Sequence, residues 1–210
     1  TFLSLCLVVI SGYYSWINIS ITNVLILPAI FVALILGGVT IYKKHLSPIT
    51  VPIYAVIQGI FLGAISYTFN SLYDGIVITA ISYTLSILFV MLTLYRTGII
   101  KPTENFKLGV AAGTGGIALI YLANFVMSFF GTGLSIMDIN NASMYSIGFS
   151  LLVIVMASLN LVVDFDFIEE GSEKRAPKYM EWYGAFGLLV TLIWLYLEIL
   201  RLLAKMNSRK

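Results

Sequence analysis

The sequence predicts an all-α polytopic membrane protein with seven transmembrane helices, and three observations carry that prediction. Of its 210 residues, 60% are hydrophobic and only 10% are charged, and the mean hydropathy is +0.98. A soluble domain carries roughly 25% charged residues, and so much apolar surface does not fit inside one core beneath a wet exterior. Second, the apolar residues fall in long unbroken runs of the length a bilayer demands, about 20 residues each. Third, Lys and Arg fall in every second loop. Strands are excluded, because barrel strands alternate over about 10 residues and these runs do not.

The predicted helices cover Phe2–Trp16, Val24–Tyr42, Ile49–Phe69, Gly75–Tyr95, Leu108–Phe130, Tyr145–Phe167 and Trp182–Leu203, in one domain spanning the chain. The first run is short, and because the chain starts at Thr1 rather than Met, a short N-terminal piece is expected to be missing. No small-residue cleavage site follows that run, so no cleavable signal peptide is expected. The third helix carries Gly59 and Gly63, and the fifth starts with Gly109 and Gly113. Both are GxxxG spacings, which let helix backbones approach where lipid supplies no hydrophobic drive between helices.

Basic residues set the orientation. The loops after helices 2, 4 and 6 carry Lys43 and Lys44; Arg96, Lys101 and Lys107; and Lys174, Arg175 and Lys178, while the loops after helices 1, 3 and 5 carry none. This alternation places the N-terminus and the basic loops in the cytoplasm. Arg201, Lys205, Arg209 and Lys210 at the end of the chain oppose the rule if helix 7 spans fully. The length of Trp182–Leu203 nevertheless favours a full crossing.

Composition also excludes function classes. A net charge of +2 makes no nucleic-acid footprint. One cysteine, Cys6, forms no internal disulfide, and one histidine, His45, forms no histidine cluster. No GxGD protease motif, no mid-helix lysine for a retinal Schiff base and no Ser/His dyad is present. An enzyme is therefore not expected, and neither is a bound cofactor.

The acids are the informative residues. Seven of ten lie between Asp164 and Glu198. Ionisable groups inside a span are costly and mark functional positions by default. Asp164 shares a helix-6 face with Asn160 one turn earlier, while Asp166 points to nearly the opposite side and reaches toward headgroups. Glu169, Glu170 and Glu173 read as a solvated loop beside Lys174 and Arg175. Glu198 has two readings: an ion pair with Arg201 three residues on, or an interior acid coupled to helix 6.

Two segments carry a resemblance. Val163-Asp164-Phe165-Asp166-Phe167-Ile168-Glu169, with Ala176 to Tyr183 after it, resembles the Bax inhibitor-1/YccA-like membrane proteins, bacterial branch. The run Trp194-Leu195-Tyr196-Leu197-Glu198-Ile199-Leu200-Arg201-Leu202-Leu203 does so too. The resemblance implies six helices wrapped around a central C-terminal helix in a bacterial plasma membrane. It also implies a pH-sensitive calcium leak channel, with calcium as cargo and an acid on helix 6 paired with one on helix 7. Asp164 matches the helix-6 acid. On helix 7 one match gives Glu198, and another places Thr191 there and leaves the pair incomplete. Glu181, at the start of helix 7, is a third alternative. Lys43 and Lys44 match basic residues that bear on the pair.

Two touching carboxylates do not both ionise cheaply. Such a pair shares a proton in acid and, as a dianion, suits calcium, which takes oxygen ligands; Asp164 and Glu198 are the candidate transient calcium ligands. The competing reading is a non-conducting interaction or stress-modulating protein of the same family, whose partners the sequence does not name.

Overall fold

The computed structural model describes residues 2–139 and 141–209; of Ile21, Asn23 and Leu25 only the backbone is described. Among the described residues there are seven α-helices and no strand: α1 (Phe2–Ile17), α2 (Ile19–Tyr42), α3 (Ser47–Leu72), α4 (Ile76–Arg96), α5 (Glu104–Phe129), α6 (Met144–Glu173) and α7 (Tyr179–Asn207). Five segments, Lys44–Leu72 and the helices α4 to α7, are long and apolar enough to cross a membrane; α1 and the Ile26–Tyr42 stretch of α2 are shorter. Of the five, α7 buries the largest share of its apolar window, 67%, against 11% for α5.

Several expected boundaries shift. The loop expected after helix 1 shrinks to Asn18 alone, whose side-chain amide donates to the Tyr14 carbonyl at 3.0 Å. Helix α5 starts four residues early, because the Thr103 hydroxyl accepts from the Phe106 N–H at 3.3 Å and caps it. Lys107 is therefore a helix residue, not a loop residue. Helix α6 runs on to Glu173, so Glu169, Glu170 and Glu173 extend a helix rather than form a loop, and Glu170 pairs with Lys174. Helix α4 ends on Gly98 at φ +71°. There the Gly98 and Ile99 amides donate back to Tyr95 and Leu94 at 3.0 and 3.1 Å, a Schellman closure that needs a left-handed residue.

The chain divides into two compact units: Thr1–Asp74 with Phe167–Val190, and Gly75–Asp166 with Thr191–Lys210. In the first, α1 packs on α3 through small residues. A Cβ on Gly63 would collide with the Gly12 carbonyl, and one on Gly59 with Ser11 and the Val8 carbonyl, so the predicted GxxxG is a backbone-to-backbone notch. Ser15 donates across it to the Ile60 carbonyl at 2.8 Å, and Trp16 meets Tyr67 edge-on at 5.7 Å. These contacts advance together along both helices, so α1 and α3 run parallel. Helix α2 runs antiparallel to α3: Thr40 donates to Thr50 at 2.7 Å, and Gly37 lies near Tyr54. That is the alternation successive crossings require.

In the second unit α6 and α7 run antiparallel. Asp164 meets Thr191 near one end and Ser150 meets Lys205 near the other, and Val153, Ala157 and Leu161 on α6 and Leu192, Leu195 and Leu200 on α7 are all buried. The second GxxxG is only half used. Gly113 receives the Met156 side chain, while Gly109 has nothing within 4 Å.

Candidate functional site

Helix α7 carries a polar stripe in the second unit. Thr191, Glu198 and Lys205 repeat every seven residues, with Arg201 between the last two, so all four share a face. Helix α6 presents Asn160 and Asp164, one turn apart, and α5 presents Thr114 and Tyr121.

Asp164 hydrogen-bonds the Thr191 hydroxyl. Its other oxygen, Oδ2, is buried and has no hydrogen-bond partner among the described residues. A buried carboxylate oxygen without a donor is costly and leaves one ligand position open on an acid inside a span. One turn away, the Asn160 amide donates to Thr114 Oγ1 at 2.7 Å and to the Met156 carbonyl at 2.9 Å. The polar stripe expected on helix 6 is therefore held in place from α5.

Glu198 is 1% exposed. Its Oε2 accepts from the Tyr121 hydroxyl at 2.6 Å and from Arg201 Nη1 at 2.8 Å. Arg201 also donates to the Tyr121 oxygen at 3.1 Å, and its guanidinium lies 5.5 Å from the Tyr121 ring centroid. The expected Glu198–Arg201 pair is thus present, within a three-residue cluster in which Glu198 is buried and Tyr121 and Arg201 are half-buried. Seven residues, about 10 Å of helix, separate Glu198 from the Thr191 that holds Asp164. The two acids have different hydrogen-bond partners: Thr191 for Asp164, and Tyr121 with Arg201 for Glu198. The helix-6 acid faces Thr191, the incomplete alternative raised by the sequence.

The remaining candidates are placed differently. Asp166 pairs with Lys107 of α5 at 2.7 Å, both partly exposed; it meets a protein cation rather than a headgroup. In the first unit, Glu181 is exposed in the opening turn of α7, and Lys43 and Lys44 are exposed at the end of α2. The Lys44 ammonium lies 5.0 Å from the centre of the Tyr183 ring. Among the described residues no three His, Cys, Asp or Glu side chains cluster as a metal site.

Sequence reasoning missed Tyr121, Thr114 and Lys205. Lys205 is fully buried: its ammonium donates to the Ile136 carbonyl at 2.9 Å, the Ser146 carbonyl at 3.3 Å and Ser150 Oγ at 3.0 Å. This also removes much of the conflict with the basic-loop rule. Arg201 and Lys205 are helix residues with internal partners, so they are not free tail charges. Lys210 lies outside the described residues.

Long apolar helices around a stripe of intramembrane charge define a polytopic helical membrane protein. The chain belongs to the Bax inhibitor 1 like family, whose model matches residues 1–208. No curated protein and no solved structure matches the chain.

Proposed function

We propose that this protein is a pH-sensitive cation leak pathway, with calcium as the cargo and the Asp164 carboxylate as its regulatory group. The observation that carries the reading is the buried, unpartnered Oδ2 of Asp164 inside a membrane span. Ionisable groups at such positions mark ion and proton pathways. A single carboxylate beside a hydroxyl falls far short of the six to eight oxygens of a calcium storage site. It suits an ion in transit, which must be held weakly enough to leave. Protonating Asp164 removes the charge that attracts the ion, so flux falls in acid. Glu198 is already neutralised by Arg201 and acts as a structural tie in this reading. The basic-loop alternation supports a plasma-membrane protein with its N-terminus in the cytoplasm, and the resemblance of the C-terminal third supports a bacterial one.

Purified protein in dye-loaded liposomes tests the proposal. Calcium entry is expected above that of empty vesicles, and greater at neutral than at acidic pH. Entry equal to that of empty vesicles at every pH would favour the non-conducting interaction protein instead.

A further inference from the structure

Lys205 is the largest fully buried side chain among the described residues, and the oxygens its ammonium bonds are two carbonyls and a hydroxyl. An ammonium has three N–H donors and no acceptor. Here it meets three oxygens at 2.9, 3.3 and 3.0 Å, one for each donor. The oxygens come from two places: the Ile136 carbonyl from the short turn Ser135–Met137 between α5 and α6, and the Ser146 carbonyl and Ser150 hydroxyl from the opening turns of α6. The Ser146 hydroxyl also donates to the Ile136 carbonyl at 2.9 Å, tying the two pieces of the cage together. The charges that act on the ammonium are Arg201 and Glu198, one and two turns earlier on α7, and Asp138 beyond Ile136.

A buried charge is normally paired with its opposite. This one is instead stripped of water and coordinated by neutral dipoles, as potassium is by carbonyl oxygens in a selectivity filter. Ammonium and potassium ions are alike in size, so an oxygen shell fitted to one fits the other. We propose that the Ile136, Ser146 and Ser150 oxygens form a monovalent-cation site filled by the protein's own Lys205 ammonium, and that a free ammonium or potassium ion occupies it once the tether is cut. In the native chain the tether gives the side chain a high effective concentration at the cage, so free cations do not displace it. The tethered cation thereby latches the connection between α5 and α6 to the far end of α7. This inference does not depend on conduction.

The test is thermal unfolding of the detergent-solubilised full chain in chloride salts of ammonium, potassium, lithium and N-methylglucamine at matched ionic strength. The native protein should be indifferent to the cation. Lys205→Ala should melt several degrees higher in ammonium and potassium than in N-methylglucamine. Lys205→Met, which refills the space with an apolar arm, should be indifferent. Adding Ser150→Ala to Lys205→Ala removes one of the three oxygens and should abolish the response. A Lys205→Ala protein that ignores cation identity, or a double variant that keeps the full response, overturns the proposal. So does a Lys205→Ala chain that fails to fold whether purified in ammonium or in N-methylglucamine, since a vacated cation site would be rescued by the ion that fits it.

Discussion

The α1–α3 contact and the α6–α7 seam join apolar helices by opposite means. The first works by absence: Gly12, Gly59 and Gly63 have no side chains, so backbones meet and a serine hydroxyl reaches the facing carbonyl. The second works by charge: Asp164, Glu198, Arg201 and Lys205 are held among hydroxyls, carbonyls and one another. A notch of glycines has one state and nothing to titrate. A charged seam costs stability to build, and that cost is repaid only if the charges act. In the seam each acid has one buried oxygen without a hydrogen-bond partner among the described residues, Asp164 Oδ2 and Glu198 Oε1, but Glu198 is paired with the Arg201 cation whereas Asp164 is held by the Thr191 hydroxyl.

The notch should be broken by added volume rather than by lost charge. Gly63→Val drives a side chain into the Gly12 backbone, which cannot move aside as a flexible side chain would. Overpacking typically costs about 1–3 kcal/mol, and more where backbone has to yield, so clearly less folded protein should be recovered from membranes. Gly109→Ala, facing open space, should be recovered at the native level by the same fluorescence-detected size-exclusion assay. A well-folded Gly63→Val protein would show that the notch is not what joins α1 to α3.

In the seam, the largest loss should come from Glu198→Ala. It leaves the half-buried Arg201 without its acid, and breaking one side of a fully buried pair costs about 3–5 kcal/mol, an upper bound here. Tyr121→Phe removes only the hydroxyl and should cost about 1–2 kcal/mol. A thermal-shift double-mutant cycle between Glu198 and Arg201 should be strongly non-additive; additivity would mean that the pair is not made in the native state. The smallest effect belongs to Lys107 and Asp166. Both are partly exposed, so Lys107→Ala should barely change the melting temperature and should not alter the pH dependence of calcium flux. A changed pH profile would move the regulatory role toward Asp166.

Much of this contrast is legible in the sequence. The Gly59/Gly63 spacing announces the notch, because close approach requires residues with no side chain. The Glu198–Arg201 pair follows from three-residue spacing on one helix. Tyr121 does not, because it comes from a helix 77 residues away in the chain and nothing local marks it. Lys205 looks like a tail charge because it lies at the end of an apolar run, where an end lysine usually reaches water. Its seven-residue register with Thr191 and Glu198 was the available signal that it faces inward. Gly109 misleads for the opposite reason: the spacing is right, but a Cβ there would meet nothing within 4 Å among the described residues. Orientation remains with the basic loops. Single cysteines at Lys44, Arg96 and Lys174, in a chain with Cys6 replaced, should resist impermeant thiol reagents in intact cells, and labelling of all three would reverse the topology.

The central claim, that one incompletely partnered acid regulates cation passage, is tested most directly by Asp164→Asn in calcium-flux liposomes at neutral and acidic pH. The amide keeps the shape of the carboxylate and cannot titrate, and it is cheaper to bury than a charge. The variant should therefore fold with an unchanged or higher melting temperature and show low calcium flux that no longer depends on pH. A folded Asp164→Asn protein with the native pH profile would contradict the account.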